Sequence, residues 1–513
     1  MDIKKYYKII YSRLKKIYLF NLFPLFIILL GFIIRLRQYL ANRSLWIDEA
    51  SLALNILEKD YVGLLQKLDY VQAAPPLFLL ITKFLTELFG NSEYVLRLLP
   101  FISGVLSLFL FYKIANEFLN KGEIPIALAL LSFTYYNIYY SAEFKQYSLE
   151  LLFAIIILLF GIKLYKSNYS NYNILLSTIM GSIAVWFSHT SVFILAGVGL
   201  ALLLKLYISD NLSKGLKIKK IIYLILGYLI WIVSFAFQYF LIIREAAENQ
   251  FYNFWQGYFF PFPPLSIYDI KEYFALLAKF IINPLGFNYA LGVVVFFILI
   301  GEYFLWKEKD KIYFYLSNLP VMILIIFSIL NIYPFAARLV LFITPIFYLI
   351  ISIGIYNIFT FFAKQNKELI AILLIFITLL YPVAKVTKIL ISPISKEEIR
   401  PVINYYLDNK KNDDSLYVYY GAERAFKYYT QGENILYISS GGNKHTILGG
   451  GHRENPNLYL QKLDDLKGNG QIWFIFSHAQ KCEKELFLIY LNKIGNRIDS
   501  FERTGASVYL YDL

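Results

Sequence analysis

Charged residues make up only 17% of this 513-residue chain, and cysteine occurs once, at Cys482. A single cysteine excludes an intramolecular disulfide and says little about redox compartment. Histidine is nearly as scarce, with four residues. Three of them, His445, His452 and His478, lie at spacings that match no standard metal-ligand pattern. No internal repeat and no Gly-rich dinucleotide fingerprint is present. Gly441-Gly442-Asn443-Lys444-His445-Thr446 fails the spacing of a phosphate-binding loop. The net charge of +13 is not the footprint of a nucleic-acid partner. From residue 386 onward 16 Lys and Arg face 15 Asp and Glu, so the excess lies upstream, in short loops between apolar runs.

Those apolar runs dominate what is there. The chain is 58% hydrophobic, with 45 Phe and 45 Tyr, and membrane-length runs repeat from Tyr18 to about Lys385. This is the pattern of a polytopic α-helical membrane protein. The N-terminus is basic (Lys4, Lys5, Lys8, Arg13, Lys15, Lys16) and no small-residue cleavage site follows its apolar run, so Tyr18–Ile34 reads as a retained first span. Further spans are expected near 98–115, 124–140, 147–165, 174–188, 191–206, 221–243, 287–306, 312–330, 339–362 and 369–385, about eleven transmembrane helices in all. The basic loops Lys163/Lys166, Lys205 to Lys220, Lys307 to Lys311 and Lys364/Lys367 all fall on the cytoplasmic side if Leu77–Phe89 does not cross. That segment is short and carries Lys83 and Glu87, which suits an interfacial helix.

This parity places the first outer loop (about 44–90), Ser141–Tyr147, His189, the loop at about 244–285, Asn331–Arg338 and everything after Lys385 outside. Glu49–Leu57 reads as a short amphipathic helix, and Tyr268–Ile282 as an interfacial one. Residues 1–391 form the expected membrane domain. Residues 392–513 form a small extracytoplasmic α/β domain, with strands at Ser415–Gly421, Ile435–Ser439 and Gln471–Ser477 and a closing strand pair in Arg497–Asp512.

The outer ends of the spans collect the ionisable residues. Asp48, Glu49 and Glu143 are acids there, and Arg97, Lys145, Arg244 and Arg338 are cations. Ionisable groups at membrane depth are costly and frequently functional. Two readings stand for each. Asp48 and Glu49 suit the positive end of a helix without any chemistry, and an arginine at a span end can snorkel to headgroups. His189 is either a hydrogen-bonded interfacial histidine or a substrate contact. As a set, they suit a phosphate-bearing lipid held by cations, with a carboxylate to deprotonate an acceptor hydroxyl.

Four stretches carry a family resemblance. They are Trp46-Ile47-Asp48-Glu49-Ala50; Pro75-Pro76-Leu77-Phe78, followed by Gly90 and Arg97-Leu98-Leu99-Pro100; Tyr140-Ser141-Ala142-Glu143-Phe144-Lys145-Gln146-Tyr147; and Arg338-Leu339-Val340-Leu341-Phe342-Ile343-Thr344-Pro345. In this order the chain resembles family-39-type glycosyltransferases, such as protein O-mannosyltransferases and the bacterial aminoarabinose transferase that modifies lipid A. The resemblance implies a GT-C fold in the membrane half, a polyprenyl-phosphate-linked sugar donor, and transfer to an unspecified lipid, glycan or protein acceptor on the outer face of the cell membrane. It implies Asp48 as the acceptor-activating carboxylate, with Glu49 and Glu143 as further acids. It places Arg338 near the lipid phosphate, with Arg244, Lys145, His189 and Tyr147 as additional contacts. Ala74 and Lys145 depart from the usual pattern, and Tyr147 stands where some relatives carry an acid. No cofactor is certain, and a divalent metal is left open. A glycolipid transporter or flippase, and a surface-polysaccharide polymerase or ligase, remain as alternatives.

Overall fold

The structure, a computed structural model, describes residues 3–209, 212–240, 255–431, 446–451 and 457–513. The protein is a multi-pass membrane protein: among the described residues, eight helices are long and apolar enough to cross a bilayer. They begin with α1 (Ile3–Leu40), whose apolar portion is Leu22–Leu40. The others are Glu93–Phe118, Tyr147–Lys166, Ser191–Ile208, Lys214–Gln238, Lys311–Ile329, Ala337–Ala363 and Ile372–Ile391. Outward faces such as Ile225, Leu229, Ile232 and Val233 remain exposed, as expected of side chains that meet lipid.

Three of the eleven expected spans differ. Asn171–Phe187 has 17 residues. Leu291–Glu308 carries Glu302, Lys307 and Glu308. The expected run 124–140 is two helices, Ile124–Phe133 and Tyr135–Tyr140, broken at an extended Thr134. The break leaves helix-end carbonyls without partners, and Arg35 of α1 satisfies them. Its Nη1 donates to Ser132 O at 3.1 Å and its Nη2 to Leu131 O at 3.0 Å. Close helix packing elsewhere depends on absent side chains. A Cβ on Gly301 would lie 2.0 Å from Ile350 O, and one on Gly354 2.0 Å from Phe297 O, so these two helices touch backbone to backbone.

The basic loops meet at one end of the bundle. Lys205 pairs with Asp310 at 2.7 Å, Lys309 reaches Asn120 at 3.0 Å, and Lys166 pairs with Glu117. At the opposite end lie three short helices. They are α2 (Ile47–Glu58), α3 (Pro76–Phe89) and the capped helix Ile267–Ile282. Proline opens α3, where its missing N–H costs nothing, and Gly90 at φ 85° ends it. None of the three is a candidate span.

Beyond Ile391 the chain runs through an extended strap and the helix Ile399–Asn409 into a five-stranded sheet. Its strands are β1 (Ser415–Val418), β2 (Thr446–Leu448), β3 (Gln471–Ser477), β4 (Asn496–Arg503) and β5 (Ala506–Asp512), in the order β2-β1-β3-β5-β4. The first three are parallel and the last two antiparallel to their neighbours. Strand β1 ends three residues earlier than expected, β2 was not expected, and Ile435–Ser439 lies outside the described residues. Alternation along the strands serves two cores. Leu416, Val418, Trp473, Ile475 and Val508 belong to the core continuous with the membrane half, while Tyr417, Tyr419, Phe474, Phe476 and Tyr509 form a separate one.

Candidate active site

Helix α2 follows a loop that runs from the end of α1 through Arg43, Ser44, Leu45 and Trp46. Its first turn carries Asp48 and Glu49, which successive positions on a helix point in different directions. Glu49 turns inward and is fully buried. Its two oxygens accept five hydrogen bonds. Arg43 donates from Nη1 at 2.7 Å and Nη2 at 3.3 Å, Arg97 from Nε at 2.9 Å and Nη2 at 2.9 Å, and the Phe144 amide at 2.6 Å. Burial alone would raise its pKa, but the two guanidiniums and that amide hold it well below the usual carboxylate range. Arg97 also binds the Arg43 and Ser44 carbonyls at 2.6 and 3.1 Å. It therefore locks the loop from inside and does not snorkel.

Asp48 faces a cleft and keeps 24% of its side chain exposed. Its Oδ2 pairs with Arg338 Nη2 at 3.0 Å. Burial pushes its carboxyl up, but Lys145, Arg338 and Lys396 outweigh that and hold it below the usual carboxylate range. The Arg338 guanidinium lies 5.7 Å from the ring centres of Trp46 and Tyr147 and 6.0 Å from that of Trp255, an aromatic collar that fixes a cation without neutralising it. Lys145 donates to Gln72 Oε1 at 2.5 Å. Burial lowers its ammonium to about 8, against the opposing pull of Asp48.

Glu143 is the second acid of the cleft. Its Oε1 accepts from Trp46 Nε1 at 2.7 Å, Tyr139 OH at 3.1 Å and Lys396 Nζ at 3.3 Å, while its buried Oε2 has no partner among the described residues. Asp48, Glu143, Lys145, Tyr147 and Arg338 thus converge. Arg338, Lys145 and Lys396 already meet the two carboxylates, so the local charge does not suit a divalent cation between them. Among the described residues no group of three or more His, Cys, Asp or Glu is placed to hold a metal.

One expected contact stands apart. His189 sits between two helices, beside the Ala74 carbonyl and the Gln238 amide, with neither in good hydrogen-bonding geometry. Burial pushes its imidazole down to about 4, so near pH 7 it is neutral and offers an anion no counter-charge. Arg244, His445 and His452 lie outside the described residues.

The strap and tail contribute what motif reading missed. Glu397 Oε2 caps α2 by accepting from the Ile47 amide at 3.1 Å, and its Oε1 meets His478 Nδ1 at 2.7 Å. Glu398 accepts from the Ser44 amide and hydroxyl at 3.3 and 3.0 Å. Tyr429 OH accepts from the Leu45 amide at 2.7 Å, and Arg424 donates to Ser51 Oγ at 3.1 Å. The only sequence signal was the charge run Lys396-Glu397-Glu398-Ile399-Arg400, which alone reads as a solvated linker.

This architecture is the GT-C fold of membrane glycosyltransferases. Residues 73–240 match the dolichyl-phosphate-mannose-protein mannosyltransferase family, a stretch that holds Glu143, Lys145, Tyr147 and His189 but neither Asp48 nor Arg338. The crystal structure of ArnT from Cupriavidus metallidurans in the apo state superposes with a TM-score of 0.53 at 11% identity, covering 94% of this chain and 97% of that one. Its undecaprenyl phosphate-bound form gives 0.54 at 11%, covering 94% and 98%. An oligosaccharyltransferase from Archaeoglobus fulgidus, tethered to an acceptor peptide, gives 0.49 at 11%, covering 95% and 74%. No curated protein sequence matches the chain significantly. The resemblance drawn from the four motif stretches is borne out.

Proposed function

We propose that this protein is an integral-membrane glycosyltransferase. It moves a sugar from a polyprenyl phosphate to a lipid, glycan or protein acceptor on the extracytoplasmic face. The observation that carries this reading is the Asp48–Arg338 pair at 3.0 Å, with both side chains partly exposed. A base and a phosphate-binding cation stand side by side there, among aromatic rings. In the reaction, Asp48 takes the proton from the acceptor hydroxyl. The acceptor oxygen bonds to the anomeric carbon of the sugar. The bond from that carbon to the phosphate oxygen breaks, and its electron pair leaves with the polyprenyl phosphate. Arg338 and Lys145 stabilise the departing anion. Glu143 orients Trp46 and the strap, while Glu49 holds the loop in shape.

The grouping of Lys166, Lys205 and Lys309 at the other end of the bundle supports a cytoplasmic position for that end. The cleft, and residues 392–513 as an α/β domain, then lie outside. The test is mass spectrometry of glycolipids and surface glycans from cells lacking the protein, complemented with wild type or with Asp48→Asn. One sugar should vanish on deletion and return only with wild type. Full restoration by Asp48→Asn would remove Asp48 from the chemistry. Accumulation of an unflipped lipid-linked sugar would instead favour a transporter.

A further inference from the structure

The two carboxylates of the cleft are met by three cations, and the third does not come from the membrane half. Arg338 and Lys145 match Asp48 and Glu143 charge for charge, while the buried Arg43 and Arg97 are held by Glu49. Lys396 adds a further cation on the exposed side. Its ammonium lies 3.3 Å from Glu143 Oε1, 3.5 Å from the centre of the Trp46 ring and 4.8 Å from that of Tyr139. It is one of the three cations that hold Asp48 ionised, and 36% of its side chain remains exposed. Glu143, its partner, has none. Lys396 is therefore the cation of the set that a ligand can reach most freely.

Its position is built. Gln38 clamps Ile394 in both directions, donating to its carbonyl at 2.8 Å and accepting from its amide at 2.9 Å. The Glu398 amide donates to Thr504 O at 2.7 Å. The β4–β5 turn presses on Lys396 itself: a Cβ on Gly505 would lie 2.2 Å from the Lys396 carbonyl, at a φ of 68° that disfavours side chains. A lysine on a solvated linker is held by none of these.

We infer that Lys396 is a phosphate-binding residue of the cleft, supplied by the strap, and that it adds accessible positive charge for an anionic lipid donor. The inference rests on the proposed glycosyl transfer from a polyprenyl phosphate. A phosphodiester donor brings one negative charge and the departing phosphate monoester up to two, so the need for Lys396 grows as the bond to the sugar breaks.

The test uses the full chain in nanodiscs of uncharged phosphatidylcholine. Undecaprenyl phosphate is the probe and undecaprenol the phosphate-free control. Binding is read from the change in tryptophan fluorescence and its salt dependence, Trp46 and Trp255 being the two of the six tryptophans that flank Arg338. Lys396→Met should weaken undecaprenyl phosphate binding about tenfold, the loss of one charge-assisted contact, and flatten its salt dependence. Lys396→Arg should stay within about threefold of wild type, and both variants should keep the wild-type melting temperature. Wild-type affinity and salt dependence in Lys396→Met would overturn the inference and leave the transferase reading standing. So would equal losses in both variants with a lowered melting temperature, which would mark Lys396 as structural. Failure of the wild type to prefer undecaprenyl phosphate over undecaprenol would overturn both.

Discussion

Asp48 and Glu49 are neighbours in the chain and opposites in the fold. Glu49 points into the protein, accepts five hydrogen bonds from Arg43, Arg97 and Phe144, and has no exposed surface. Asp48 points into the cleft with one direct ion pair and 24% exposure. One helical step therefore separates a carboxylate committed to architecture from one free for chemistry. An acidic pair in a motif need not be a catalytic pair. The saturated member gives the open member a rigid base.

The sharpest break of this contrast is Glu49→Gln, which leaves Arg43 and Arg97 buried without a counter-charge. It should cost about 3–5 kcal/mol, seen as a large fall in melting temperature and in yield of folded protein from detergent. Asp48→Asn should do the reverse. Folding should stay near wild type while transfer falls by about 10²–10⁴-fold, the range for loss of a general base, measured by product mass spectrometry. A Glu49 variant that folds normally, or an Asp48 variant that does not, would erase the distinction.

A smaller effect comes from pH. The Lys145 ammonium is at about 8 in the folded protein, against an ordinary 10.5. Undecaprenyl phosphate binding should therefore weaken as pH rises through about 8, and Lys145→Met should lack that step. Stability runs the other way. Between the two values the unfolded chain holds a proton that the folded chain has lost, so raising pH through this window favours the folded state. Binding titrations and thermal melts across the same window should slope in opposite directions. The smallest effect is expected at Lys427, which pairs with Glu58 at 2.7 Å with both side chains partly exposed. Lys427→Ala should cost less than about 1 kcal/mol and leave transfer unchanged.

Legibility in the sequence followed distance along the chain. Asp48, Glu143 and Arg338 were readable because each flanks an apolar helix, whose length and loop charges set which end it occupies. The short helices α2, α3 and Ile267–Ile282 were readable from amphipathic spacing and, for α3, its opening prolines. The break at Thr134 was not, since neither proline nor glycine marks it. It is stabilised from afar, by Arg35 on the Leu131 and Ser132 carbonyls. Glu397 as the cap of α2 was equally invisible, because no local pattern ties Ile47 to a residue 350 positions away. The burial of Glu49 depended on Arg97 and Phe144 arriving from two other elements.

The strap also has a consequence in time. Residues 44–51 leave the ribosome long before Glu397, Glu398, Arg424 and Tyr429, which tie them down from 350 to 384 positions later. At ordinary synthesis rates that interval is on the order of tens of seconds. During it the early helices enter the membrane with the Asp48 loop held by Arg97 and the Phe144 amide, and with the third cation unmade. On the proposed function, a half-made chain has the cleft without Lys396, and the Asp48 loop gains its long-range hydrogen bonds only when the last part of the protein has folded onto the first.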